Sequence, residues 1–179
     1  MIQVTETERV QRLQDKVAPK YDRSMGRWEK VLFGGGRQWV CAQASGDVLE
    51  IARQRAADLG REVDFRQGDA QALDFPDESF DTVICTLALC TIPDERKAVA
   101  EAHRVLRPGG RFVLIEHVRS PVRIVRAVER AIEPLMVRFE GDHLTREPLD
   151  HLEPVGFRIE QLERSKWGIV ERVSALKPA

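Results

Sequence analysis

Two continuously apolar runs flank one amphipathic segment in the middle of the chain. The first run reads FDTVICTLALC at residues 80–90, and the second reads RFVLIEH at residues 111–117. Continuous apolarity is typical of strands that are buried on both faces, as they are in parallel sheets. Between the runs, apolar residues recur at helical spacing at Ala98, Ala102, Val105 and Leu106. The pattern predicts a strand–helix–strand unit with a right-handed crossover, whose helix we expect Pro108-Gly109-Gly110 to end.

Helical spacing recurs at the N-terminus and after residue 121. We expect an N-terminal helical segment over residues 1–45, interrupted at Pro19 and by a glycine run at 34–36. A long helix, kinked at Pro134, is predicted by the spacing of Val125, Val128, Ile132, Leu135 and Phe139. A second stripe is formed by Arg119, Arg123, Arg126 and Arg130. A solvated face is the simpler interpretation of these arginines, because two glutamates lie nearby, and a membrane-surface or acidic-substrate role is the alternative.

The rest of the chain shows strand patterns and turn signals. GDVLEI at 46–51 predicts a strand, and residues 52–60 predict a helix that stops at Gly60. Residues 63–66 predict another strand, with a polar tip at Asp69. Near the C-terminus, we expect Thr145 to cap a helix that ends at Gly156. Alternating residues at 157–162 and 169–176 predict a closing antiparallel hairpin.

These motifs resemble the class I S-adenosylmethionine (SAM)-dependent methyltransferases, of the methyltransferase type 11 or ubiquinone–menaquinone C-methylase-like group. FDTV at residue 80 is similar to the start of that family's fourth strand, and LRPGG at residue 106 to its lead into the fifth. The resemblance implies an α/β fold with a Rossmann-like sheet and a closing antiparallel hairpin. We expect a single domain over residues 1–179, in which residues 1–45 form a helical cap and 46–179 form the α/β core.

One part of the family pattern is missing from this sequence. In the family, the first strand leads into a glycine-rich loop, and a second strand ends in an acidic residue that binds the ribose. Here residue 51 is followed directly by the helix of 52–60, so the sheet is expected to be shortened by about one βα unit of about 30 or more residues. A real deletion and an omitted segment both fit the sequence. Successive Cα atoms that lie about 3.8 Å apart along the stretch from Glu50 to Arg53 would favour the deletion.

Composition and charge narrow the possible functions. The 179 residues carry a net charge of −1, which argues against general nucleic-acid binding. The N-terminus is polar, so no signal peptide is expected, and no run is apolar enough to span a bilayer. The three cysteines, Cys41, Cys85 and Cys90, lack metal-ligand spacing. We therefore expect reduced, buried thiols in a cytoplasmic protein and no metal site.

The resemblance implies where the cofactor SAM would bind. Asp69 and Ala70 match the family positions at the adenine, and Thr86 and Leu87 lie at the strand end where such sheets bind ligands. Glu50 ends the expected first strand and is a further candidate. Tyr21 matches a Tyr-Asp pair near the family's cofactor entrance, although a partly buried aromatic residue is an equally good interpretation.

The function that these observations predict is methyl transfer from SAM to a small, apolar acceptor. Three motifs, CTLALC (85–90), EHV (116–118) and GDHLTRE (141–147), resemble a branch that includes mammalian alkyl-thiol methyltransferases. Relatives in that branch associate with membranes through an N-terminal anchor that this sequence does not show, so at most peripheral membrane contact is expected. The oligomeric state stays open.

Two histidines are candidates for a general base. His117 and His143 would serve if the acceptor must lose a proton, although a lone histidine at a strand end is more often structural. The alternative function is a catalytically impaired methyltransferase-like scaffold or binding subunit, and the absent glycine loop is the feature that favours it.

Overall fold

The computed structural model describes residues 62–179 continuously and, before them, only residues 5, 9, 12, 13, 53, 54, 56–58 and 60. The predictions for Tyr21, Glu50, the strand at 46–51, the N-terminal helical cap and the Glu50–Arg53 spacing lie outside these residues. Where the predicted helix of 52–60 is described, it is helical, and it ends at Gly60 with a φ of 62°.

Seven elements follow residue 79. They are β1 (Phe80–Thr86), α1 (Glu95–Val105), β2 (Leu106–His117), α2 (Arg123–Phe139), α3 (Leu149–Val155), β3 (Arg158–Ser165) and β4 (Val170–Leu176). The four strands form one sheet in the order β1-β2-β4-β3. β1 and β2 are parallel, whereas β4 is antiparallel to both of its neighbours. The predicted α/β class and closing antiparallel hairpin are confirmed, and β4 lies between β2 and β3.

Helix α1 forms the predicted crossover between the parallel strands. Asp94 caps it by accepting a hydrogen bond from the Lys97 backbone N–H at 3.2 Å. The helix buries one apolar stripe against the sheet, formed by Ala98, Val99, Ala102 and Val105. The opposing core side chains include Phe112, Leu114, Leu152, Phe157 and Val173. Burial of this stripe on an apolar sheet is what holds the ends of β1 and β2 in place.

The expected end of α1 was wrong by a few residues. The helix ends at Val105, and the Pro108-Gly109-Gly110 segment lies inside the first residues of β2. Leu106 is already extended, with φ −75° and ψ 136°, and its side chain is fully buried. Burial of Leu106 and the steric effect of Pro108 on the residue before it both favour this early exit from the helix.

Two further local predictions were wrong. Residues 62–68 form no ladder with any described strand, so the strand expected at 63–66 is absent there, and only an isolated bridge joins Asp69 to Ala72. Most side chains of this segment are exposed, which leaves no apolar face to fix a register. Thr145 does not cap α3, which begins after Pro148; its hydroxyl instead donates to Glu133 Oε2 at 2.7 Å. Gly156 ends α3 as predicted, with a φ of 112°.

Helix α2 forms over the predicted residues and contains Pro134. Its apolar stripe does not enter the core: Ile124, Leu135 and Phe139 are exposed by 79%, 57% and 60%. None of the helices in the described part of the chain has the length and apolarity needed to cross a membrane.

Candidate functional site

The carboxyl ends of β1 and β2 lie side by side, and the loops that follow them form the candidate site. Thr86, the last residue of β1, pairs with Ile115 of β2, and the Leu87 backbone N–H donates to the Ile115 carbonyl at 2.8 Å. Two residues further along β2, His117 ends the strand. Ligands of open α/β sheets bind at this edge.

Leu87 has a strained backbone at the point where β1 ends. Its φ of 49° lies in the left-handed region, which leucine rarely adopts. The strain is maintained by Glu116, whose Oε1 accepts hydrogen bonds from the Ala88 and Leu89 backbone N–H groups at 2.9 and 3.2 Å. Strain of this kind persists where the surroundings hold a loop in one conformation, and it is common at ligand sites.

Glu116 is itself a buried carboxyl group. It is 0% exposed, and its Oε2 has no hydrogen-bond partner among the described residues. Burial raises the pKa of Glu116, although the two backbone donors, the charge of His117 and the Cys85 thiol act in the opposite direction. Glu116 therefore fixes the loop after β1 at a cost in desolvation.

His117 forms a paired group with an aspartate from the loop after α2. His117 Nε2 lies 2.9 Å from Asp142 Oδ1, and both side chains are largely buried. Burial alone lowers the pKa of His117, but the hydrogen bond and charge of Asp142, together with Glu116 and Glu129, raise it overall. Burial likewise raises the pKa of Asp142, and its bonds to His117 and Cys90 and the charge of His143 lower it overall. Asp142 therefore stabilises the imidazolium form of His117 relative to a histidine without such a partner, which makes the neutral imidazole a stronger proton acceptor.

Cys90 completes a cluster with His117 and Asp142. Burial, followed by the negative charges of Glu116 and Asp142, raises the pKa of the Cys90 thiol well above its ordinary value. The thiol is therefore protonated and unsuited to nucleophilic attack, as expected for a buried reduced cysteine. One ligand atom from each of the three residues lies within 4.8 Å of the others, a spacing that a metal ion can bridge. The sequence had predicted no metal site here.

The second predicted base, His143, belongs to the same loop. Its backbone N–H donates to the Cys90 carbonyl at 3.0 Å, and its Nδ1 lies 3.8 Å from Glu133 Oε1 of α2. Arg146 fastens this loop to the segment after β1 by donating to the carbonyls of Leu89 and Ile92. The fold therefore brings both predicted histidines to one edge of the sheet.

The predicted adenine position lies in the turn before β1. Asp69 is half-buried, and its Oδ1 accepts hydrogen bonds from both the backbone N–H and the Nε2 of Gln71, each at 2.9 Å. The Gln71 Oε1 in turn accepts from the Asp94 backbone N–H at the start of α1. The Gln71 side-chain NH₂ group thus donates to both oxygens of the Asp69 carboxylate. The carboxylate has the right acceptor chemistry for the adenine.

An apolar cavity of about 470 Å³ lies between α1, the β1 strand and residues 64–75. Ala70, Cys85 and Ala88 line it. Asp69, Thr86 and Leu87 are not among its described lining residues, and neither is His117 or Asp142. The cavity therefore adjoins the expected adenine position, and the His117–Asp142 pair is not part of its lining.

Three of the residues in the site were missed by the sequence analysis. Asp142, Cys90 and Glu116 all lie in motifs that were quoted, but no role was predicted for them. Glu116 interrupts an apolar strand immediately before its end, which is a signal for a buried and bonded carboxyl group. Asp142 gave no such signal, because its contact with His117 spans 25 residues.

The fold and this site define a class I methyltransferase scaffold, and comparison with known proteins agrees. Residues 25–114 match the family described as "Methyltransferase domain", and the chain belongs to that family. The predicted family and its cofactor, SAM, are confirmed.

Curated relatives match part of the chain. UbiE, a ubiquinone/menaquinone biosynthesis C-methyltransferase of Rhodopseudomonas palustris, is 41% identical over 85 residues, which are 46% of this chain and 34% of UbiE. A phosphatidylethanolamine N-methyltransferase of Cereibacter sphaeroides is 38% identical over 99 residues, covering 54% of this chain and 47% of the relative. The chain thus spans between a third and a half of the length of these two relatives.

Solved structures share the fold at low identity. A SAM-dependent methyltransferase of Methanosarcina mazei gives a TM-score of 0.59 at 22% identity, over 75% of this chain and 79% of that one. The [4+2]-cyclase SpnF gives a TM-score of 0.62 at 20% identity, over 75% and 64% of the two chains. At such identities the likeness shows the fold alone, and the same fold supports different reactions.

Proposed function

We propose that this chain transfers a methyl group from SAM to a small, apolar acceptor that carries an acidic proton, with His117 as the general base and Asp142 as the residue that orients it. The observation that supports this most directly is the 2.9 Å contact between His117 Nε2 and Asp142 Oδ1 at the carboxyl edge of the parallel strands. A histidine that is held by a carboxylate at a ligand-binding edge has the arrangement of a general base.

The cofactor, when bound, supplies an electrophilic methyl group on a sulfonium. Asp69 and the Ala70 backbone are the described groups suited to its adenine, because the Asp69 carboxylate already accepts from an NH₂ group. At the acceptor, His117 takes the proton of the X–H group while the acceptor's electron pair forms the new bond to carbon. SAM would supply the methyl carbon and retain the electron pair of the broken carbon–sulfur bond on its sulfur, and the proton would remain on the imidazole beside Asp142. The loops at the edge orient the reactants and exclude water.

The proposed apolar acceptor rests on two supports. The relatives named above act, by their names, on quinones and on a phospholipid. The loop that carries His143 also packs against α2, whose outer side is apolar. A thiol, a phenol or a quinol with an alkyl substituent combines an apolar body with the dissociable proton that a general base requires.

The alternative is a scaffold or binding subunit that has lost catalysis. The missing glycine-rich loop supports it, because that loop provides the family's contacts with the cofactor's methionine end. The two functions differ in one measurable respect, which is whether labelled methyl groups leave SAM in the presence of an acceptor.

The test is a methyl-transfer assay with SAM labelled in its methyl group and a panel of an alkyl thiol, an alkyl phenol and an alkyl quinol. We expect labelled product from at least one acceptor. Replacing His117 with Gln should lower the rate by about 10²–10⁴-fold, the typical contribution of a general base. His103→Gln is the control, because His103 lies in the last turn of α1, at the opposite edge of the sheet. Product formed equally well by the His117 variant would remove it from the mechanism, and no product from any acceptor would favour the scaffold.

A further inference from the structure

Helix α2 exposes an apolar face to solvent. The face consists of Ile124, Val128, Ile132, Leu135 and Phe139, which are exposed by 79%, 55%, 43%, 57% and 60%. Their spacing of three or four residues places them along one side of the helix. Five of the ten exposed large apolar side chains among the described residues lie together on this face, and a contiguous exposed apolar patch is typical of an interaction surface.

The charges of α2 are sorted by side. Both acidic residues of the helix turn inward: Glu129 Oε2 accepts from the Ser120 backbone N–H at 3.0 Å, and Glu133 Oε2 accepts from the Thr145 hydroxyl at 2.7 Å. The exposed charged residues of the helix are arginines, at Arg123, Arg130 and Arg138. The outward side of α2 is therefore apolar and cationic. The sequence had suggested that the glutamates would balance the arginines in solvent, and their inward direction removes that argument.

A tryptophan lies beside the start of α2. Trp167 is 74% exposed in the turn between β3 and β4. It and Lys166 have φ values of 59° and 53°, a conformation that turns of this kind usually assign to glycine or asparagine. The turn is attached to α2, because the Ser120 hydroxyl donates to the Trp167 carbonyl at 2.7 Å and accepts from the Val122 backbone N–H. A bulky indole is thus held outside the protein on a strained turn.

We propose that the α2 face and Trp167 form a docking surface for a membrane leaflet that contains anionic lipids. The apolar side chains enter the boundary between headgroups and acyl chains, and the arginines along the helix bind lipid phosphates. The Trp167 indole takes the interfacial position that tryptophan prefers. This surface differs from a membrane-spanning segment, since the helix lies in the plane of the interface.

Two other occupants fit the surface less well. A second copy of the chain, docked about a two-fold axis, would bring the same arginine-lined helix against itself, and no acidic residue of α2 faces outward to pair with it. The second occupant is the N-terminal segment of this chain. Among its described residues, Arg9 donates to the Val137 carbonyl of α2, and Val137 lies on the half-buried side of the helix and not on the apolar face. A lipid surface matches both the apolar stripe and the uncompensated positive charge.

The test is co-sedimentation of the full chain with vesicles of phosphatidylcholine alone and of phosphatidylcholine mixed with phosphatidylglycerol. We expect binding to the mixed vesicles that weakens at high salt. Leu135→Glu should reduce binding at least about tenfold, because it removes one leucine from the apolar contact and adds a negative charge at an anionic surface. Arg130→Glu should reduce it at least about fivefold, since it replaces a basic residue that the anionic surface attracts with an acidic one.

Matched controls and a second measurement keep the test decisive. Leu162→Glu replaces a leucine of similar exposure on β3, and Arg96→Glu replaces an exposed arginine of α1; both should bind like the unchanged chain. Circular dichroism checks that each variant is folded. The proposal is overturned if the chain does not bind anionic vesicles, or if the control variants lose as much binding as the α2 variants. It is also overturned if sedimentation equilibrium shows a dimer that Leu135→Glu dissociates.

Discussion

At the scale of single residues, Glu116 combines two roles that oppose each other. Its carboxylate holds the Ala88 and Leu89 backbone N–H groups and so maintains the strained end of β1. Its complete burial, with one oxygen that has no partner in the described part of the chain, makes the charged form costly. The residue therefore stabilises a local conformation while making the stability of the fold sensitive to pH.

We predict that Glu116→Gln reduces this pH sensitivity. Because burial raises the folded-state pKa of Glu116 above its unfolded value, the folded state binds the proton more tightly, and its contribution to stability is fully present below the unfolded pKa of about 4.3. As pH rises through the folded pKa, that contribution is lost, by at most about 1.4 kcal/mol per pH unit. The Gln variant lacks this loss, so it should gain stability relative to the unchanged chain as pH rises.

Urea unfolding at a series of pH values measures the difference between the two proteins. Glu153→Gln, at an exposed position of α3, controls for the loss of one negative charge and should follow the unchanged chain. Parallel pH curves for the Glu116 variant and the unchanged chain would show that its carboxyl group is not shifted by burial.

The candidate site residues were predictable only where a residue type with suitable chemistry stands at a position that the sequence pattern or a motif marks. His117 was predicted as it ends an apolar strand, and His143 was predicted within the GDHLTRE motif; the structure places both at one sheet edge. Asp142 was adjacent to His143 in a quoted motif, yet its role depends on a contact that the loop after α2 creates. Whether these residues act in catalysis stays a prediction.

At the scale of elements, the pairing of β1 with β2 requires the backbone at Gly110, near the start of β2, to lie close to neighbouring backbone carbonyls. A Cβ atom on Gly110 would lie 2.8 Å from the Arg107 carbonyl oxygen and 3.0 Å from that of Asp81. Both contacts are to backbone, which cannot yield without moving a strand. The register of this pair shifts between Phe80 and Thr82, close to the same point. Glycine is therefore required here for space and not for its backbone angles.

We predict that Gly110→Ala destabilises the fold by about 1–3 kcal/mol, the usual cost of inserting a methyl group where no room exists. Gly68→Ala is the matched control, because a Cβ there meets nothing within 4 Å and its φ is not positive. That control should be neutral or up to about 1 kcal/mol stabilising, since alanine restricts the unfolded chain. Thermal or urea unfolding compares the two variants, and equal effects would contradict the space requirement.

Element prediction succeeded where burial fixed the periodicity. Strands β1, β2 and β4 and helix α1 have apolar patterns that match their packing, so their positions were predicted to within a few residues. The predicted strand at 63–66 does not form, because most of its side chains are exposed and no burial stabilises the alternating pattern. The apolar stripe of α2 was recognised correctly, but periodicity alone does not tell whether such a stripe faces the core or an external partner.

At the scale of the whole molecule, the sheet order explains where the candidate site lies. β1 and β2 are parallel neighbours, so their carboxyl ends open at one edge, and the antiparallel β4 and β3 follow on the other side of β2. The α2 helix connects this edge to an exposed apolar face, because Glu133 contacts both Thr145 and His143. Long-range contacts of this kind set the site, and a single sequence does not reveal them.

The missing βα unit leads to a prediction about SAM itself. The sequence contains Asp69 and Ala70, the predicted adenine contacts, but no glycine-rich loop or acidic residue of the kind that binds the methionine and ribose ends in the family. Each lost charge-assisted hydrogen bond is worth about 1.5–3 kcal/mol. Losing two or three of them should weaken binding by about two to five powers of ten, because 1.4 kcal/mol corresponds to tenfold.

Calorimetric titration of SAM into this 179-residue chain measures the effect directly. We expect binding too weak to reach the micromolar range, and we expect recovery when a glycine loop, a helix and a second strand are inserted after Glu50. Asp69→Ala in the restored chain should then weaken binding again, since it removes the acceptor for the adenine amino group. The Asp74→Ala variant, at a nearby exposed aspartate, controls for charge. A micromolar dissociation constant for the unmodified chain would mean that other residues have replaced the contacts of the missing unit.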